Sequence, residues 1–245
     1  MTKDRFSGHA DKYAVFRPTY PQQLYQHILS KTSGRKTAWD CGTGNGQVAR
    51  DLANHFEKVE ATDISQKQID NAAIHPSITY SISAAEKTTF NDNSFDLITV
   101  AQALHWFSLN DFFKEVQRVG KKGATLAVWG YNLPRLDKEI DKVLDHFYTE
   151  FIGAYWDTER RLVETRYANL EFPFREKEYW TNQIITSWSY EDFIGYVNTW
   201  SAVQNYIKVH QSNPVDHHFE KIKPLFNENK IDVSFPLFLW TSKIK

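Results

Sequence analysis

Apolar and polar positions along this chain fall into short blocks, and the block periods predict strands and helices in alternation. Pro21 suits a first helical turn, so a helix is expected over 22–30. Residues 37–40 read as a short buried strand. From Gly46 to Phe56 the apolar residues Val48, Ala49, Leu52, Ala53 and Phe56 recur at helical spacing. A strand over 58–62 follows, then a helix over 65–73 with Ser65 as its cap, then a strand over 79–82. "FDLITVA" at 95–101 is a nearly unbroken apolar run of strand length. Such a run suits a parallel strand covered on both faces. A helix over 110–119 and a buried strand over 123–131 complete the first half. The β-α rhythm implies a parallel sheet between two layers of helices.

The rhythm changes after Tyr131. Helices are expected over 136–151, over 190–209 and again after Pro214. Strands are expected over 178–188 and 231–244. The whole is an α/β chain: a doubly wound, Rossmann-like, mostly parallel seven-stranded sheet with helices on both faces, and a helical lid or insertion in the C-terminal half. Three parts are expected: a cofactor-binding core with an N-terminal cap at 1–133, a lid or substrate insertion at 134–175, and the closing strands and helices at 176–245.

Composition narrows the function. The chain has 245 residues, 41% hydrophobic, enough for a substantial core, and a net charge of −1. That balance argues against a general nucleic-acid or membrane-surface binder. No apolar run approaches the roughly 18 residues of a membrane span, and residues 1–5 lead into polar sequence rather than a signal-peptide core. A cytoplasmic protein, monomer or homodimer, acting on a small molecule is expected. The single cysteine, Cys41, allows no internal disulfide framework. No His or carboxylate cluster has ligand spacing, so no metal is expected. Five of the ten arginines lie between Arg135 and Arg175, and six of the eight tryptophans at or after Trp129. The second half therefore has a different task from the first.

The chemistry centres on Asp40-Cys41-Gly42-Thr43-Gly44-Asn45-Gly46, between a strand and a helix. Bare backbone there admits a ligand and aims free N–H groups at it. A P-loop needs G-x-x-x-x-G-K-[ST], and neither the second glycine nor the lysine is present. A dinucleotide loop needs G-x-G-x-x-G, and here the third glycine comes one residue early, with Gln47 in its place.

D-x-G-x-G-x-G resembles the first motif of class I S-adenosylmethionine-dependent methyltransferases. "VEATDIS" at 59–65 resembles the second, with Asp63 ending the strand, 23 residues after Asp40. "ISAAEKTTFNDNSFDLITVAQALHWF" at 82–107 and "RVGKKGATLAVWGY" at 118–131 resemble the later motifs. The likeness covers about residues 9–131. Within the family, "FSGHADKYAVFRPTYP" and "ALHWF" resemble the small-molecule branch that includes trans-aconitate methyltransferase.

The resemblance implies S-adenosyl-L-methionine as cofactor, bound by Asp40, Gly42, Thr43, Gly44 and Gly46. Asp63 and Ile64 would meet the nucleoside, the carboxylate of Asp63 accepting from both ribose hydroxyls. The family usually has an acid before the fourth strand, and Ala84 stands there instead. Adenine would then be held by the backbone of Ala85 and by Glu86, or by apolar contact alone. Ala101 and Gln102, past the fourth strand, would approach the methionine part. Tyr13 and Arg17, on the stiff segment before Pro18 and Pro21, would fold over the pocket, Tyr13 shielding the sulfonium and Arg17 pairing with a carboxylate.

Trp106, Tyr131, Arg160 and Arg166 are candidate substrate contacts, because arginine forks suit planar carboxylates. His105 is the candidate base if the acceptor must lose a proton, and a wall residue if it is already a carboxylate. Cys41 has no activating partner and reads as inert packing. Methyl transfer to a small organic acid is the leading expectation. A non-catalytic cofactor-binding regulatory module and an NAD-dependent dehydrogenase are the alternatives.

Overall fold

A computed structural model describes residues 16–226 and 230–245. Seven strands form one sheet: β1 (Thr37–Cys41), β2 (Lys58–Asp63), β3 (Ile78–Ile82), β4 (Phe95–Ala101), β5 (Gly120–Tyr131), β6 (Arg175–Trp188) and β7 (Ile231–Ile244). Their order across the sheet is β3-β2-β1-β4-β5-β7-β6. β1 to β5 run parallel, and β7 lies antiparallel to both β5 and β6.

The chain leaves β1 toward β2 on one side, while β4 flanks β1 on the other. This is the point where strand order reverses. Crossover connections on the two sides diverge there, opening a crevice beyond the carboxyl ends of β1 and β4.

Side-chain alternation along the central strands divides the core between two layers. Leu97 of β4 and Ala127 and Trp129 of β5 face one cluster with α1 (Gln22–Ser30) and α2 (Gln47–Ala53). Ile98, Val100, Leu126 and Val128 face the other, against Phe112, Val116 and Val119 of α4 (Leu109–Val119). Between α2 and α4 lies α3 (Gln66–Asp70), capped by Ser65, whose Oγ accepts from the Gln68 N–H at 3.4 Å. The cap is where the sequence places it. The helix is shorter than expected, ending three residues before Ala73.

After β5, residues 134–175 hold α5 (Lys138–His146), a wider turn over 147–151 and α6 (Arg160–Glu164). The continuous helix expected over 136–151 is therefore not regular to its end. Its last turn turns Phe147 and Tyr148 inward, both buried. The long helix expected over 190–209 is two helices, α7 (Tyr190–Asn198) and α8 (Ser201–His210). Thr199 breaks the run by donating its hydroxyl to the carbonyl of Tyr196 at 2.6 Å. Trp200 takes an extended backbone, and its buried ring packs on Tyr148 and Trp156. A straight helix would not deliver that ring. The short α9 (Val215–His218) and a tight turn over 220–226 lead toward β7.

Among the described residues, no helix is long and apolar enough to cross a membrane. None of their His, Cys, Asp and Glu side chains form a group of three or more that could hold a metal ion.

Candidate functional site

The loop from β1 into α2 takes left-handed backbone at Gly42, Gly44 and Gly46. The three bare positions serve different ends. A side chain on Gly42 would begin 2.7 Å from the methyl of Ala103, so the loop lies directly on the turn after β4. One on Gly46 would meet the Tyr80 hydroxyl at 2.3 Å, so this glycine admits the protein's own ring. One on Gly44 would meet only Gln68 Oε1, at 3.8 Å. Space above Gly44 is left open by the protein.

That space is a cleft of two connected lobes, sharing Gly42, Gly44, Ala101 and Gln102. The larger encloses about 740 Å³ including its mouth, and adds Asp63, Ile64, Ala85, Glu86 and Trp106 to the shared residues. The smaller, about 490 Å³, adds Arg17, Asp40, Thr43 and Tyr131. Residues expected from sequence to meet one ligand thus converge from the ends of β1, β2, β4 and β5.

Hydrogen bonds hold these groups in place. Asp63 Oδ2 accepts from the Gly44 N–H and Oδ1 from the Ser65 N–H, each at 2.9 Å. Glu86 Oε1 accepts from the Ser108 N–H at 2.8 Å. Asp40 is buried and accepts from the hydroxyls of Thr43 and, at 2.8 Å, Thr99. Burial pushes its carboxyl up to about 6, against the downward pull of the two threonine hydroxyls. Arg17 Nη1 donates to the Tyr131 hydroxyl at 3.0 Å, and its guanidinium lies over the Tyr196 ring at 5.3 Å. Gln102 has a left-handed backbone at φ 53°. Its Nε2 donates to the Tyr131 carbonyl at 3.0 Å.

His105 does not line the cleft. It is buried behind Trp106, with ring centroids 4.6 Å apart, and its Nδ1 bonds the Tyr167 hydroxyl at 2.9 Å. Burial, and then the charge of Arg160, push its imidazole down to about 3. Arg160 stands one step further back. Its Nε donates to the Tyr148 hydroxyl at 3.2 Å, and its guanidinium is 5.2 Å from the Trp156 ring centroid. Arg166 is apart from this group. It is exposed, and its carbonyl accepts from the Trp240 indole at 2.7 Å. Gly46 also stays off the lining, as its contact with Tyr80 requires. Tyr13 lies outside the described residues.

Sequence reasoning missed Gln68, Ser83, Ala103 and Phe107 in the larger lobe, and Pro18, Tyr20, Asn45, Gln47 and Val48 in the smaller. No residue-type pattern in the sequence marks these positions as lining.

Two buried amide oxygens, Gln68 Oε1 and Gln102 Oε1, have no hydrogen-bond partner among the described residues. Buried polar groups are seldom left so. With acids at both ends of the cleft and glycine between, the acceptor set fits an elongated ligand with hydroxyls at one end and a cationic group at the other.

Comparison with known proteins agrees. A family model described as a methyltransferase domain matches residues 39–128. A relative from Dictyostelium discoideum, named as a methyltransferase, is 34% identical over 249 residues, covering 98% of this chain and 95% of its own. A relative from Saccharomyces cerevisiae, named as an S-adenosylmethionine-dependent methyltransferase, is 24% identical over 182 residues, 69% of this chain and 61% of its own. A solved structure described as a type II methyltransferase from Anaeromyxobacter dehalogenans superposes with a TM-score of 0.85 at 36% identity, covering 94% of this chain and 98% of that one.

Proposed function

This chain belongs to the S-adenosylmethionine-dependent methyltransferases, and we propose that its methyl acceptor is the carboxylate of a small organic acid, as in the small-molecule branch its sequence resembles. The observation that carries this reading is Arg160. Its guanidinium is half-buried, framed by Tyr148 and Trp156, and among the described residues it forms no ion pair. Its charge reaches His105, whose ring packs against Trp106 of the larger lobe. A planar fork of donors in that setting suits a carboxylate.

When bound, the cofactor supplies a methyl group already activated on a sulfonium. The chain's own residues then bind and align. Asp63 fits the ribose end, and Ile64, Ala85 and Glu86 the adenine. Asp40, Thr43, Arg17 and Tyr131 fit the amino-acid end, with Ala101 and Gln102 between. Trp106 and Phe107 keep water from the point of transfer. Fixed approach of the two reactants is worth up to roughly 7–11 kcal/mol.

A carboxylate acceptor arrives without a proton to lose. His105, pushed down to about 3, is a poor base at neutral pH. That agrees with an acceptor needing none, and leaves His105 a packing role against Trp106.

The test is a methyl-transfer assay over small carboxylic acids, phenols and amines, with wild type, Arg160→Ala and Arg160→Lys. Methyl ester formation is expected, with KM raised about tenfold or more in Arg160→Ala and kcat less affected. Turnover confined to amines or phenols, or an unchanged KM in Arg160→Ala, overturns the reading.

A further inference from the structure

Gln68 is 3% exposed, its Oε1 has no hydrogen-bond partner among the described residues, and it lines the larger lobe beside Gly44 and Asp63. We propose that its side-chain amide is a second ribose-reading group, bonding one of the two ribose hydroxyls of the cofactor while the Asp63 carboxylate takes the other.

Both Asp63 oxygens already accept a backbone N–H, from Gly44 and from Ser65. A ribose hydroxyl that meets either oxygen must approach around those two contacts. Two adjacent hydroxyls on a rigid sugar are better met by two separate groups than by one carboxylate already in use. Gln68 is held for this. Its backbone N–H is tied to Ser65 Oγ in the first turn of α3, so its side chain leaves a fixed point of the helix. It faces the bare side of Gly44, with Oε1 3.8 Å from where a Cβ would stand.

The ligand chemistry follows from the amide itself. Turned by half a revolution, it offers N–H instead of oxygen. A hydroxyl donates and accepts, so it satisfies either orientation. An amide left buried without that partner would carry a desolvation penalty in every unliganded molecule. This assignment rests on the cofactor and is independent of the acceptor.

Calorimetry on the intact chain tests it, with S-adenosylhomocysteine and its 2′-deoxy and 3′-deoxy forms as probes. Gln68→Met keeps the length of the side chain and removes both polar atoms. The variant is expected to melt within about 2 °C of wild type and to bind S-adenosylhomocysteine roughly 3- to 10-fold more weakly. With one of the two deoxy forms, wild type and variant should bind alike, because the missing hydroxyl is Gln68's partner. Equal affinity of both proteins for S-adenosylhomocysteine overturns the proposal. So does the same loss with all three ligands, which would make Gln68 a packing residue. Should Gln68→Met fail to fold, Gln68→Leu is read by the same criteria. No binding of S-adenosylhomocysteine to wild type would overturn the cofactor reading together with this one.

Discussion

The Gly44 N–H donates to the Asp63 carboxylate at 2.9 Å, so the tip of the glycine loop is tied to the end of the second strand. The residue that leaves space in the cleft and the acid proposed to read the ribose are held as one unit. Mobility in the loop would otherwise blur both.

Asp63→Ala removes this tie together with the proposed ribose contact. Affinity for S-adenosylhomocysteine should fall by about 1–3 kcal/mol, the range for a hydrogen bond to a charged group. Asp63→Asn keeps one accepting oxygen for the backbone and should lose less. An unchanged dissociation constant in Asp63→Ala, measured by calorimetry, would remove Asp63 from the ribose site.

Gly44→Val and Gly46→Val should fail in different ways. At Gly44 the protein leaves the space open, so the variant should fold, less a strain of about 1–2 kcal/mol from left-handed backbone, yet lose cofactor binding. At Gly46 the new side chain strikes the Tyr80 ring, and the melting temperature itself should fall further. Normal cofactor affinity in a folded Gly44→Val protein would count against the cleft.

Asp40 sets a pH dependence whose sign follows from its shift. Its folded value, about 6, lies above the ordinary value of about 3.9. The folded chain therefore binds more protons than the unfolded one between those values. Asp40's contribution to stability declines as pH rises from about 4 to about 6, then levels off. Asp40→Asn should flatten that decline in denaturant titrations over this range. A wild-type curve matching the variant's would show that Asp40 ionises normally.

Tyr167→Phe strips the hydroxyl from His105 Nδ1 and leaves a buried ring nitrogen unsatisfied. Stability should drop by about 1–3 kcal/mol, seen as a lower urea midpoint with unchanged slope. The Trp106 fluorescence environment should shift with it. A variant as stable as wild type would mean that water or rearrangement replaces the bond.

Legibility differed between the two halves. β4 and β5 announce themselves as apolar runs and β2 as an alternating one, and Asp40, the glycines and Asp63 punctuate the ends of β1 and β2, so much of the cleft lining was readable residue by residue. Gln68 was not, because a single glutamine on a helix gives no sign of whether a cavity lies beneath it. Arg160 and Arg166 looked equivalent. Only packing separates them, since one is framed by Tyr148 and Trp156 and the other is exposed and tethered through its carbonyl to Trp240.

The sequence by itself determined the strand–helix order, the bare loop after β1 and the acid that ends β2, because period, glycine and chain punctuation are local properties. Tertiary structure alone decided that Gly46 serves Tyr80 while Gly44 serves the cleft, that His105 lies behind Trp106 with little affinity for a proton, and that helix 190–209 breaks to bury Trp200. Each of these depends on which distant side chain arrives alongside, and burial, the largest influence on both packing and charge, is set only when the layers close.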